Sequence, residues 1–120
     1  MKRLCMALVF LGLSSLSIAQ TAIPTSKFAW DQSAPTLADA NNYTYKLYTD
    51  GSVTSATLSG VVCSGTTNPF VCTVNVPAFA PGSHAVQFTA TNVAGESAKS
   101  AIFSFTMVIQ PAAPANVRIQ

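Results

Sequence analysis

The sequence is poor in charge. Only 8% of its 120 residues are Asp, Glu, Lys or Arg, and two of the six cations are Lys2 and Arg3. Without residues 1–19, the other 101 residues carry four cations and four anions, a net charge of zero. Nucleic acids and anionic lipid surfaces are both bound by clustered Lys and Arg. The composition therefore argues against both partners, and it leaves little repulsion to oppose self-association.

Residues that catalyse reactions or hold metals are also scarce. The chain has one histidine, His84, and its acidic residues are scattered over turn-like segments. Nucleophilic or acid–base chemistry needs partners within reach of one another, and no Gly-x-Ser-x-Gly elbow is present. Asp31, Asp39 and Asp50 lack the close spacing of a calcium loop. We expect no enzyme, no metal site and no cofactor.

Long apolar runs are missing as well. The run Leu4–Leu13 is about half the length of a membrane span. It follows the basic Met1–Arg3 and precedes Ser17–Ala19, which has small residues at the −3 and −1 positions of a cleavage site. We predict that residues 1–19 are a signal peptide, with an uncleaved anchor or an apolar strand as alternatives. The mature chain is then secreted, at the cell surface or periplasmic, with no membrane insertion.

Cysteine is nearly absent. Cys5 belongs to the predicted leader, which leaves Cys63 and Cys72. An even count in an exported chain predicts a disulfide. A metal site would need more ligands nearby, and a redox motif would place the cysteines two residues apart.

Helical periodicity is lacking, and short alternating runs between turn signals take its place. Asp50-Gly51 has the composition of a type I′ hairpin turn. This pattern predicts an all-β, antiparallel, immunoglobulin-like sandwich. The predicted strands are Phe28–Trp30, Tyr43–Tyr48, Ser52–Val62 with a bend at Gly60, Phe70–Val76, His84–Thr91 and Ala101–Ile109. The expected core residues are Trp30, Tyr43, Tyr45, Leu47, Val86, Phe88, Phe103 and Phe105.

The stretch Pro81–Ser97 reads as a Pro-Gly turn, an alternating strand and a tight Asn-Val-Ala-Gly-Glu-Ser loop. It resembles strand F and the F–G loop of fibronectin type III domains. Trp30 falls where that family has a core tryptophan, and Tyr43–Tyr48 resembles its strand C. His84 takes the place of the family's corner tyrosine, after an approach one residue shorter than usual. The resemblance covers Phe28–Ile109 and implies a fibronectin type III-like domain over residues 20–110 that binds, spaces or assembles.

The two ends depart from this family. Only Gln20–Lys27 precede the first strand, which is too short for the family's strand A. Pro111–Ile119, by contrast, is similar to the opening of such a domain. The cysteine pair resembles bacterial exported versions. We interpret residues 111–120 as a Pro/Ala linker and a strand-like tail, either frayed or paired with an exposed edge of its own or another copy.

Three predicted loops, Ser33–Asn42, Ser64–Pro69 and Asn92–Ser97, are the expected recognition surfaces, because rigid sandwiches carry function on loops. A protein or glycan partner would contact Asp39, Asn41, Asn42, Thr66, Thr67, Asn68, Asn92, Gly95 and Glu96. Trp30, Tyr45 and Tyr48 are alternatively a sugar platform, although alternating aromatics favour a core.

Three functions remain open on the sequence. One is an exported, non-catalytic module for adhesion, binding or spacing, possibly the first domain of a longer extracellular protein. The second is a structural subunit that assembles into surface structures or fibres by strand exchange. The third is an accessory domain of a secreted carbohydrate-active hydrolase.

Overall fold

The computed structural model describes residues 20–120, so the predicted leader and Cys5 lie outside the described residues. The fold consists of nine strands and one short helix over this range. These are β1 (Gln20–Ala22), β2 (Lys27–Gln32), α1 (Leu37–Asn42), β3 (Thr44–Thr49), β4 (Ser55–Thr57), β5 (Val62–Ser64), β6 (Phe70–Asn75), β7 (Gly82–Asn92), β8 (Gly95–Glu96) and β9 (Phe103–Met107).

The strands form two sheets. The larger has the order β1-β9-β7-β3-β4, with β8 folded back onto β7, and the smaller has the order β2-β6-β5. Every pairing is antiparallel except that of β1 with β9. The predicted all-β, immunoglobulin-like sandwich is confirmed, because alternating strands bury one face of each sheet against the other.

The core lies between the sheets and centres on Phe28 of β2. Its ring contacts Phe88 and Phe105 edge-on, with ring centroids 5.2 and 5.6 Å apart. Such edge-to-face pairs are worth about 0.5–1.5 kcal/mol beyond the area they bury. Of the predicted core residues, Tyr45, Leu47, Val86 and Phe105 are buried, whereas Trp30, Tyr43, Phe88 and Phe103 are half-buried and pack against them.

The prediction that Ser33–Asn42 is entirely loop is wrong, because α1 occupies its second half. The Thr36 hydroxyl caps the helix by accepting the Asp39 N–H at 3.1 Å, and Ala40 is fully buried. Six residues are too few to show a helical period. The Thr-x-x-Asp spacing is the sequence signal of this helix start.

The predicted strand Ser52–Val62 is also wrong in its extent. It is divided into β4, which pairs with β3, and β5, which pairs with β6 in the other sheet. Gly60 lies between them with a φ of 81°, a left-handed conformation that glycine adopts readily. The Asp50-Gly51 turn has the expected positive φ at both residues, 52° and 76°.

The segment beyond β9 leaves the sandwich. Residues 109–120 belong to no helix or strand, and all of them are exposed. Within the described range, no helix is both long and apolar enough to cross a membrane.

Candidate functional site

A groove with a volume of about 600 Å³ lies along one side of the sandwich. It runs the length of β2 and lies between this strand and the segment Ser97–Phe103, which leads into β9. Phe28, Trp30 and Phe88 line its floor. The volume is in the range of cavities that hold ligands, and an aromatic floor makes the groove suited to apolar groups. We call this feature the lateral groove.

One rim of the lateral groove is an unpaired strand edge. β2 lies at the end of its sheet and pairs only with β6, from Lys27 opposite Asn75 to Gln32 opposite Phe70. Among the described residues, no strand adjoins its other edge. The backbone N–H and C=O groups of alternate residues there have no partner in a ladder, which makes the edge a template for another strand.

The other edge strands of the described fold are protected. β1, β4 and β5 span three residues each, against six for β2. The edge of β5 is covered by Asn41 of α1, whose side-chain amide donates to the Cys63 carbonyl at 3.1 Å and accepts the Cys63 N–H at 2.9 Å. Short or capped edges resist pairing with other chains. β2 is therefore the long, uncapped edge of the described fold.

Trp30 is one of the aromatic residues that line the lateral groove. Its ring packs on Phe88 at 4.9 Å and on Tyr45 at 5.3 Å between centroids. Its indole N–H is buried, yet within residues 20–120 it has no hydrogen-bond partner. An unpaired buried donor costs about 1–3 kcal/mol, so the groove floor contains an unmet polar group.

The opposite rim is held by serine hydroxyls. Ser100 Oγ accepts the Phe88 N–H at 2.9 Å, and Ser97 Oγ accepts the Ala90 N–H at 3.0 Å. The backbone N–H groups of the same serines donate to the Phe88 and Ala90 carbonyls. These hydroxyls take the place of the carbonyl acceptors of a regular ladder. The segment from Ser97 to Ile102 therefore forms no strand, and β9 begins only at Phe103.

A disulfide fixes the small sheet behind the groove. Cys63 of β5 and Cys72 of β6 lie directly opposite each other and are bonded. The buried Tyr45 hydroxyl donates to the Ala40 carbonyl at 2.7 Å and lies 3.7 Å from each sulfur. Burial, and then the neighbouring Tyr43, raises the pKa of Tyr45 to about 12. The hydroxyl therefore stays protonated and joins α1 to the large sheet.

His84 occupies a corner at the opposite end from the predicted loops. Its Nδ1 lies 3.0 Å from Asp50 Oδ2, and its Nε2 lies 2.7 Å from the Ala80 carbonyl oxygen. Asp50 also accepts the Ala85 N–H at 2.9 Å. Both neighbours of the imidazole are acceptors, so the Asp50 hydrogen bond, followed by that to Ala80, raises the pKa of His84. The His84 hydrogen bond in turn lowers the pKa of Asp50.

The three predicted recognition loops lie at one end of the sandwich, but three of their four asparagines are engaged internally. Asn41 caps β5, Asn68 Oδ1 accepts the Ala34 N–H at 3.1 Å, and Asn92 Oδ1 accepts the Ala94 N–H at 2.8 Å. Asp39 accepts a hydrogen bond from the Thr36 hydroxyl at 3.0 Å. Asn42, Thr66, Thr67 and Gly95 are exposed.

Glu96 is likewise used within the fold. It accepts hydrogen bonds from the Thr89 hydroxyl at 2.6 Å and the Tyr48 hydroxyl at 2.5 Å. These two bonds, that from Thr89 first, lower the pKa of Glu96. Lys99 covers the Tyr48 ring, with its Nζ 4.3 Å from the centroid. Trp30, Tyr45 and Tyr48 consequently form no common sugar platform, because Tyr45 is buried and Tyr48 is bonded to Glu96.

Within residues 20–120 no three His, Cys, Asp or Glu side chains are grouped so as to hold a metal ion. The lateral groove itself was not among the sequence predictions, which placed recognition on the loops. The sequence signal for the groove was the stretch Gln20–Lys27 between the predicted leader and Phe28, which is too brief to supply a full first strand.

Comparisons with known proteins add little. No family model matches the chain, and no curated protein matches it. A solved structure, CopC from Methylosinus trichosporium OB3b, is similar over 82% of this chain and 91% of its own, with 14% identity and a TM-score of 0.43. A likeness this remote carries no argument about ligand or activity.

Proposed function

We propose that this protein is a non-catalytic binding module of fibronectin type III type, working outside the cytoplasm, that holds an extended polypeptide segment in the lateral groove. The observation that carries the proposal is the six-residue unpaired edge of β2 beside an aromatic-lined cavity. Main-chain hydrogen bonds to a strand edge give affinity, and pockets for alternate side chains give specificity.

The inward face of β2 supports this kind of ligand. Phe28 and Trp30 point toward the core side of the sheet, while Lys27, Ala29 and Asp31 are exposed on the other face. A segment paired with β2 would place every second side chain over the groove floor, because strand side chains alternate between faces. An apolar–polar alternating peptide is the chemistry that fits.

The Cys63–Cys72 disulfide supports the location, because structural disulfides persist in oxidising compartments such as the periplasm and the extracellular space. Adhesion through the loop end is less well supported, since most of the candidate side chains there already bond within the fold. Nothing in the groove favours an accessory role beside a hydrolase.

The single tryptophan makes a direct test possible, because Trp30 lines the floor of the lateral groove. Peptides selected from a phage-displayed library of random dodecapeptides are titrated into the mature chain at concentrations where it is monomeric. We expect binders that shift the Trp30 indole ¹H–¹⁵N resonance and its fluorescence.

A groove-filling variant, Ala101→Phe, is expected to abolish this binding, since exposed Ala101 lines the groove. Ala56→Phe, on an exposed position of β4 away from the groove, is the matched control and is expected to bind as wild type does. Selected peptides that leave the indole signal unchanged, or that bind Ala101→Phe normally, would overturn the proposal.

A further inference from the structure

We infer that the segment held in the lateral groove belongs to a second copy of this chain, and that it is Ala115–Gln120. This inference rests on the proposed function and names its partner. We call Ala115–Gln120 the donor segment.

The donor segment has the pattern that the groove requires. Val117 and Ile119 alternate with Asn116, Arg118 and Gln120, and the two apolar side chains are 86% and 97% exposed. In a strand, both would point to the same face. Paired beside β2, they would lie on the groove side, next to Trp30 and Gln32, while the polar residues would face water.

The charges of the two edges are complementary. Asp31 is exposed on the outer face of β2, and Arg118 shares the polar face of the donor segment. An antiparallel register that sets Arg118 beside Asp31 also sets Ile119 beside Trp30. Opposite charges directly across a strand pair favour that register.

The course of the chain favours a second copy over the same copy. β9 ends where β2 begins, because Ala22 pairs with Met107 and a tight turn at Ile23–Ser26 leads into β2. A donor segment that returned to its own groove would enter at that end and run parallel to β2. A neighbouring copy can enter antiparallel, which is the more stable pairing per residue.

The linker supports the same conclusion. Pro111 and Pro114 restrict the backbone between β9 and the donor segment, and residues 110–114 are exposed and outside any strand. A stiff, exposed linker holds the donor segment away from its own sandwich. Because donor and acceptor surfaces differ, each contact is head-to-tail and extends into a chain of subunits unless the rotation closes a ring.

Light scattering and the Trp30 indole resonance, both followed over a concentration series of the mature chain, test the inference. We expect particle size to grow with concentration and the Trp30 resonance to shift in parallel. Val117→Ser/Ile119→Ser should abolish both changes. Val53→Ser/Val93→Ser, at two comparably exposed positions, should leave both as in wild type.

A charge exchange tests the register. Arg118→Asp and Asp31→Arg should each weaken self-association by about two- to fivefold, as expected for an exposed ion pair. The double variant should restore it. Equal weakening in the double variant would contradict this register.

The remaining outcomes separate the inference from the proposed function. A Trp30 shift that needs Val117 and Ile119 but is independent of concentration, with monomeric particles, would mean that the segment binds its own copy. A chain that stays monomeric, with no effect of the tail variant, would overturn the second-copy inference even if library peptides bind the groove. Failure of the library peptides as well would overturn both.

Discussion

The buried hydroxyl of Tyr45 offers a quantitative test of how the sandwich is held together. Tyr45→Phe removes one oxygen atom and with it the 2.7 Å hydrogen bond to the Ala40 carbonyl. Tyr45 is 2% exposed and Ala40 is fully buried, so water cannot replace the lost donor without a rearrangement. A buried carbonyl left without its donor costs about 1–3 kcal/mol. In a domain of this size, each kcal/mol lowers the melting temperature by about 4–8 °C.

The assay is equilibrium unfolding in urea, together with an absorbance titration of the tyrosines. Tyr43→Phe is the matched control, because the Tyr43 hydroxyl makes no hydrogen bond among the described residues, and its cost should stay within about 0.5 kcal/mol. The titration should lose its component near pH 12 in Tyr45→Phe alone. A Tyr45→Phe protein that unfolds at the same midpoint as Tyr43→Phe would refute the reasoning.

Two further predictions concern the disulfide and the corner. Cys63→Ser should lower the unfolding free energy by about 2–3 kcal/mol in the chain-entropy model, and mass spectrometry should find the non-reduced wild type lighter by two hydrogens; two free thiols would contradict it. The pKa of His84 is raised from 6.5, so its stabilising contribution is complete below that pH and is lost as the pH rises through the raised value. The pKa of Asp50 is lowered from 3.8, so its contribution is lost only as the pH falls through the lowered value. Urea midpoints measured against pH should show the loss above pH 6.5 in wild type but not in His84→Gln; identical profiles would contradict the ion pair.

Much of the fold could be predicted from local patterns. The alternation in Tyr43–Tyr48 and Phe70–Val76 placed the strands well, because one face of each sheet is buried and side chains alternate with a period of two. Asp50-Gly51 identified its turn, since both residues tolerate positive φ. The helix α1 was missed because its capping signal, Thr36 with Asp39, was not used.

The candidate site was harder to predict from the sequence, because it depends on the absence of a strand beside β2. The stretch Gln20–Lys27 after the predicted leader indicated an incomplete first strand, but periodicity does not reveal which sheet a three-residue segment joins. β1 pairs with β9, in parallel, and so leaves β2 uncovered. Trp30 was expected in the core because it lies on the apolar face of an alternating strand. That pattern is the same whether or not a neighbouring strand covers the residue.

Hydrogen–deuterium exchange of the β2 amides tests the central claim, that this edge accepts a strand, most directly. The chain without its predicted leader is compared at low and high concentration, with the amides of β4 (Ser55–Thr57) as an internal reference. We predict that alternate amides of residues 29–32 exchange more slowly at high concentration while those of β4 are unchanged, because only the outward-facing N–H groups that pair with the donor segment gain acceptors. Equal exchange of the β2 amides at both concentrations, and with saturating groove-binding peptide, would contradict the claim.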